Sequence, residues 1–140
     1  MPSRASVLIA LSASVTGLIG LIHLHYTLVA DKFSPRDPDL KARLEVSSPV
    51  LTSRITMWKA WIGFNVSHAV GLLLFGSVYG YLALFRASVL IGSTYLLGVG
   101  GLVLVAYLVL CNVYWYSAPF RAIALALLLY VSGIVMAVTS

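Results

Sequence analysis

The sequence predicts an all-α integral membrane protein in which four transmembrane helices form a bundle. Of its 140 residues, 61% are hydrophobic and 9% are charged, and the mean hydropathy is +1.00. Soluble domains have roughly 45–50% apolar and about 25% charged residues. A chain of this length cannot bury so much apolar surface in a core of its own, so we expect lipid to cover it. One domain is expected from the length.

Four apolar stretches are each long enough to cross a bilayer, which takes about 20 mainly apolar residues in a helix. The predicted spans cover residues 5–30, 56–84, 87–110 and 118–139. The first exceeds the apolar region of a signal peptide, about 7–15 residues, so we expect it to be retained as a helix. Little more than Arg86 separates the second and third spans. Pro119 suits the first position of the fourth helix.

A polar loop, residues 31–53, connects the first two spans and contains all four acidic residues. Its residues 34–37 (Ser-Pro-Arg-Asp) follow the pattern of a helix start, with a serine cap, a proline first and an acid third. Leu40 and Leu44 then lie one helical turn apart. The pattern predicts a short amphipathic helix on the membrane surface. A solvated loop with a single helical turn is the alternative.

Basic residues concentrate in and beside this loop. They are Lys32, Arg36, Lys41, Arg43, Arg54 and Lys59. Arg121 follows the third loop, whereas only Arg4 and Arg86 lie on the opposite side. The positive-inside rule therefore predicts a cytoplasmic first loop and both termini outside. Because most of the basic residues lie in and beside this loop, they indicate anionic headgroups, and the net charge of +5 predicts no nucleic acid partner.

All three histidines lie in the first two spans, where polar groups are costly unless a partner satisfies them. His23 and His25 lie about 200° apart around a helix, so they cannot share a face. His23 lies on a face of small and polar residues, which we expect inside the bundle. His25 lies on a greasier face and is assigned to a headgroup, a neighbouring subunit or the bundle edge. Helix faces made of small residues can also pack against another chain, so the sequence is compatible with a homo-oligomer or a larger membrane complex.

The second span carries aromatic and polar side chains on the face that includes His68. We expect His23 from the first span to meet Asn65 and His68 in one intramembrane pocket. The predicted pocket residues are His23, His68, Asn65, Trp58, Trp61 and Lys59, with His25, Tyr26 and Ser67 secondary. Trp58, Trp61 and Lys59 would close it toward the loop. Ser67 and His68 are adjacent and point about 100° apart, so no Ser–His dyad is expected.

Several interpretations of this pocket stay open. The polar side chains could simply hydrogen-bond across helices, or they could hold the head of a lipophilic molecule such as a quinone, sterol or isoprenoid. Haem b could be ligated by His68 with His23 or His25. No carboxylate lies at membrane depth and Cys111 is the only cysteine, so no other metal site is predicted. Catalytic motifs are absent and catalytic residues are unknown. The sequence therefore favours a non-enzymatic accessory or ligand-binding membrane protein, and a membrane enzyme with a lipid-soluble substrate is the alternative.

The stretch from Trp58 to Gly71 (WKAWIGFNVSHAVG) resembles a family of small four-helix bacterial membrane proteins without an assigned activity. Residues 20–27 (GLIHLHYT) and 32–37 (KFSPRD) extend the resemblance over about the first half of the chain. It implies a four-helix fold and a location in the bacterial inner (cytoplasmic) membrane.

A looser, architectural similarity exists to the membrane-associated eicosanoid and glutathione metabolism family, which are basic four-helix proteins with a long first loop. Their second helix carries an arginine and an Asn-x-x-Glu pattern for glutathione. Here residues 65–68 end in His68 where the acid would be, and Lys59 is a poor substitute for the arginine. The similarity therefore implies architecture alone.

Overall fold

The computed structural model describes residues 3–139, and this range is all-helical, with 82% helix and no strands. Its helices are α1 (Arg4–Leu28), α2 (Pro38–Val46), α3 (Met57–Phe85), α4 (Ala87–Ile91), α5 (Thr94–Tyr114) and α6 (Ser117–Thr139). Four of them, α1, α3, α5 and α6, are long and apolar enough to cross a membrane. The structure thus confirms the predicted fold class, and the helix lengths and composition are those of an integral membrane protein.

The faces of these helices that point away from the protein are apolar. Leu74, Leu102 and Leu128 are each more than half exposed. A soluble protein of this size rarely exposes so large an apolar surface. In a bilayer, acyl chains cover these side chains, as the composition predicts.

The third spanning helix starts later than its predicted span. The apolar stretch is interrupted at Gly92 and Ser93, so that the short α4 precedes a separate α5. The Ser93 side chain accepts a hydrogen bond from the N–H of Leu96 and caps α5. A serine hydroxyl competes for backbone hydrogen bonds and therefore favours a cap over a helix interior. The apolar pattern alone does not reveal this break, because both sides of it are hydrophobic.

The turn between the third and fourth spanning helices is shorter than predicted. Helix α5 continues to Tyr114, and α6 begins at Ser117. Pro119 is therefore the third residue of α6 and not the first. The position is still within the first turn, where a helix needs no backbone N–H from the proline.

Helix α2 begins three residues after the predicted start. Asp37 is its cap and accepts a hydrogen bond from the N–H of Asp39 at 3.0 Å, and Pro38 occupies the first helical position. Ser34 does not cap a helix, because its hydroxyl donates to the Asp31 carboxylate. Two successive pairs, Ser34-Pro35 and Asp37-Pro38, each have a capping residue followed by proline, and α2 begins at the second pair. No residue of α2 is buried.

Contacts divide the chain into two compact units. One contains Met1–Ile19 with Leu72–Ser140, and the other contains Gly20–Gly71. Helices α1 and α3 contribute residues to both, so the division does not fall at a loop. The predicted site residues all belong to the second unit.

Small residues bring the helices of the first unit close together. An ideal Cβ atom at Gly76 in α3 would lie 2.7 Å from the Cα atom of Gly17 in α1 and 2.9 Å from the carbonyl oxygen of Ala13. The Ser12 hydroxyl of α1 donates to the Ala126 carbonyl of α6 at 2.7 Å. Backbone contacts of this kind are typical of membrane helices, where association depends on close packing and not on a hydrophobic driving force.

An aromatic cluster fills the core of the first unit. The rings of Phe75 and Tyr79 stack with centroids 4.5 Å apart, and Tyr130 lies beside both. The hydroxyls of Tyr79 and Tyr130 donate to the carbonyls of Leu96 and Leu97 in α5, at 2.7 and 3.0 Å. Each buried phenol therefore has the hydrogen-bond partner that an apolar environment requires.

Candidate functional site

The polar face of α1 points inward, as its sequence predicts. Its small and polar residues are all buried: Ser12, Thr16, Gly20, His23 and Thr27. His23 is 7% exposed, and its backbone carbonyl accepts a hydrogen bond from the Thr27 hydroxyl at 2.8 Å. His25, on the other face, is exposed. The separation of the two histidines by helical geometry is confirmed.

Asn65 of α3 links His23 to α3 by hydrogen bonds. Its Nδ2 donates to the Trp61 carbonyl at 2.9 Å, and its Oδ1 lies 3.1 Å from Nε2 of His23. A carbonyl oxygen only accepts hydrogen bonds, so the bond to Trp61 determines which end of the amide faces His23. Nε2 of His23 must therefore carry a proton and donate it to Oδ1. When His23 is neutral, its other ring nitrogen is an acceptor.

His68 lies against the ring of His23. The two imidazole centroids are 4.9 Å apart, with the ring planes tilted by 46°. His23 lies five residues before Leu28, the last residue of α1, and His68 lies eleven residues after Met57, the first of α3. The difference corresponds to about 9 Å along a helix axis. The rings nevertheless meet, because α3 extends further toward the loop than α1 does.

Phe33 in the first loop packs on His23, and the sequence did not reveal this contact. Its ring centroid lies 4.7 Å from that of His23. The indole N–H of Trp61 donates to the Phe33 carbonyl at 3.0 Å, which attaches the loop to α3. The only sequence signal is one aromatic residue in an otherwise polar segment, which no helical periodicity places.

Lys41 of α2 contacts Trp58, and the sequence did not reveal this contact. The Lys41 ammonium lies 4.9 Å from the ring centroid of Trp58, which is a cation–π contact. It also lies 3.4 Å from Oδ2 of Asp31. Lys59 is exposed, and its backbone N–H donates to the Thr56 hydroxyl at 3.3 Å.

The secondary residues lie at the edge of the cluster or outside it. Tyr26 is half-buried. Its ring centroid lies 6.5 Å from that of Phe33 and 6.2 Å from that of the exposed His25. Ser67 is exposed, and its hydroxyl donates to the Gly63 carbonyl of its own helix at 2.8 Å. This geometry agrees with the expectation that Ser67 and His68 do not form a dyad.

Asp31 stabilises the loop next to the cluster. Hydrogen bonding by the Ser34 hydroxyl and, to a smaller extent, the nearby Lys41 ammonium lower the pKa of the Asp31 carboxyl below its usual range. The carboxylate is therefore charged at neutral pH. Its backbone has a φ of 48°, the left-handed region, which aspartate tolerates better than most residues.

The side chains that meet at this site are hydrogen-bonding groups. Within residues 3–139, no group of three His, Cys, Asp or Glu side chains is placed to hold a metal ion. We refer to His23, Asn65 and His68 as the His/Asn cluster. Two imidazoles, one amide and the rings around them can bind a neutral polar group, because these side chains both donate and accept hydrogen bonds without a fixed charge.

Comparison of the chain with protein-family models, with curated protein sequences and with solved structures gives no match.

Proposed function

We propose that this protein binds a lipophilic molecule in the membrane and holds its polar head at the His/Asn cluster. The observation that carries the proposal is the position of His68 beside the hydrogen-bonded pair of His23 and Asn65. Polar side chains at membrane depth are expensive and commonly have a function. A purely structural link between α1 and α3 needs only the bond from His23 to Asn65, whereas His68 adds a second imidazole at the same place.

The chemistry of the cluster favours a neutral head group. An amide and two imidazoles suit a quinone carbonyl or a sterol or isoprenoid hydroxyl, which donate or accept hydrogen bonds and carry no charge. Phe33 and Trp61 lie next to the cluster, and aromatic rings pack well on the rings of such molecules. The tail of the ligand would lie in the lipid, against the apolar surfaces of the helices.

Native mass spectrometry of the protein, purified in mild detergent, tests this proposal. We expect a lipophilic species to be bound and to be identified after extraction. The variant His68→Leu should lower its occupancy about tenfold or more, whereas His25→Leu, which changes an exposed histidine of α1, should retain it. A protein without any bound lipophilic species, or equal occupancy in His68→Leu, would contradict the proposal. The same spectra report whether copies of the chain associate.

Haem b is a second candidate because His23 and His68 lie on two neighbouring helices, but the ring geometry favours it less. A metal–imidazole bond is about 2 Å, so rings on opposite sides of one iron have centroids roughly 6 Å apart. The observed centroids are closer, at 4.9 Å, and Nε2 of His23 is bound to Asn65. Ligation would need the rings to separate and this bond to break. A Soret band in the purified protein that disappears in His68→Leu would establish haem in place of the lipophilic ligand.

We also propose that the first loop lies in the cytoplasm and that the membrane is the bacterial inner membrane. The loop contains the exposed side chains of Arg36, Arg43 and Arg54. Positive charges next to spanning helices are retained on the cytoplasmic side. The resemblance of residues 58–71 to bacterial membrane proteins supports the choice of membrane.

A further inference from the structure

A short loop segment that belongs to neither spanning helix packs on the His/Asn cluster at His23. Residues 31–34 follow the end of α1 and precede α2. Within this segment the Phe33 ring packs on His23 with a centroid distance of 4.7 Å. The contact is thus made by one aromatic side chain held by a loop, and it lies directly on one of the residues proposed to bind ligand.

The contacts that hold this segment in place lie at exposed positions. The Trp61 indole that donates to the Phe33 carbonyl is 44% exposed. The side chains of the ion pair between Lys41 and Asp31 are 32% and 64% exposed. Exposed ion pairs contribute little to stability. Helix α2, which carries Lys41, has no buried residue. Displacement of residues 31–34 would therefore break few buried contacts.

The segment also has a defined point about which it can turn. Asp31 is the only non-glycine residue with a positive φ among residues 3–139. Just beyond it, the N–H of Lys32 donates to the Tyr26 carbonyl at 3.1 Å and closes the end of α1. The backbone thus changes conformation at one residue that lies two positions before Phe33. Hinges are commonly a few residues of this kind at the end of an element.

We propose that residues 31–34 are a gate over the His/Asn cluster, with Phe33 as its closing side chain and the Lys41–Asp31 pair as the contact that favours the closed position. The proposal rests on the proposed function, because a gate matters only for a site that takes up a ligand. Opening moves Phe33 away from His23 and gives the head group of a lipophilic molecule access to His68 from the loop side.

Diethyl pyrocarbonate labelling of the full-length protein, followed by peptide mass spectrometry, tests the gate without any ligand. The reagent acylates accessible imidazoles, and the chain has three histidines. The exposed His25 is an internal control in every variant. We expect His25 to react quickly and His68 slowly in the unaltered protein. Phe33→Ala should raise the His68 rate about tenfold or more, and Lys41→Gln should raise it severalfold, with the His25 rate unchanged in both.

The labelling rates distinguish access to His68 through the gate from access by other routes. An unchanged His68 rate in Phe33→Ala would overturn the gate and indicate access from the lipid between the helices. Faster labelling of all three histidines would indicate general loosening of the protein and would also count against the gate. Lys41→Gln guards against this outcome, because Lys41 lies on α2, which has no buried residue. A confirmed gate together with a protein that carries no lipophilic species would contradict the proposed ligand and not the gate.

Discussion

At the scale of single residues, the orientation of one amide determines the chemistry of the cluster. The Trp61 carbonyl can only accept a hydrogen bond, so Asn65 presents its oxygen to His23. His23 is then a donor at Nε2. The Trp61 carbonyl, one turn before Asn65 in α3, thus determines which ring nitrogen of His23 carries the proton. The identity of a histidine alone does not determine this tautomer.

Replacement of Asn65 by leucine should destabilise the protein. Asn65→Leu leaves the buried Nε2–H of His23 without its acceptor. Hydrogen bonds between membrane helices contribute about 0.6 kcal/mol on average and at most about 2 kcal/mol, so we expect a loss within that range. Thermal unfolding in detergent, followed by circular dichroism, measures it. Ser67→Ala is the matched control on α3, because the Ser67 hydroxyl is exposed and bonds only within its own helix; equal stability of the two variants would contradict this prediction.

At the scale of helices, close packing is limited by backbone atoms where glycine lies at the contact. Gly76 of α3 meets Gly17 and Ala13 of α1, and a backbone cannot move aside as a flexible side chain can. By contrast, a Cβ atom at Gly98 of α5 would have no atom within 4 Å. Glycine therefore has a packing role at position 76 and none at position 98.

Alanine at Gly76 should weaken the contact between α1 and α3. Overpacking of this kind costs typically about 1–3 kcal/mol, partly offset by the better helix propensity of alanine, about 1 kcal/mol. We expect Gly76→Ala to lower the thermal midpoint. Gly98→Ala gains the propensity without a clash and should leave the midpoint unchanged or raise it. If Gly76→Ala is as stable as Gly98→Ala, the close approach is not important for stability.

The capping side chain of α2 should be needed for that helix and not for the spanning ones. Asp37→Ala removes the acceptor for the Asp39 N–H, and loss of such a cap costs about 1 kcal/mol. Hydrogen exchange of residues 38–46 should become faster while exchange in α5 and α6 is unchanged. Ser34→Ala is the control, because Ser34 does not cap α2. If exchange of residues 38–46 becomes faster in Ser34→Ala and not in Asp37→Ala, Ser34 is the capping residue, as the pattern of residues 34–37 predicts.

At the scale of the whole molecule, composition and charge distribution determine how the chain lies in a membrane. Four helices are long and apolar enough to cross a membrane, and most basic residues occur in and beside the first loop. Orientation is therefore a property of the charge difference between the two sides and not of any single contact.

The orientation can be measured with single cysteines in a Cys111→Ala background. Cys111 is the only cysteine and is buried, so its removal leaves no competing thiol. Ser48→Cys reports the first loop and Ser88→Cys reports the opposite side; both positions are exposed. In intact bacterial cells, a membrane-impermeant maleimide should label the cysteine at position 88 directly and that at position 48 only after permeabilisation. The reverse pattern would place the first loop outside.

The sequence predicted much of the α1 and α3 contribution to the cluster and little of the loop contribution. His23, Asn65 and His68 were found because helical periodicity places side chains on faces, and a face is a local property. Phe33 and Lys41 were missed because their positions depend on the path of an irregular loop. The early start assigned to the third spanning helix has a related cause, since Gly92 and Ser93 interrupt a stretch that is apolar on both sides.

The sequence by itself determined the four spanning helices, the polar loop after the first, and the separation of His23 from His25, because composition and the helical repeat suffice for these. Tertiary structure decided that Phe33 packs on His23, that Lys41 lies over Trp58, and that Asn65 presents its oxygen to His23. Each of these depends on atoms distant in the chain that meet only after folding. The physical reason is that hydrogen bonds and ring contacts are short-ranged in space and carry no period in sequence.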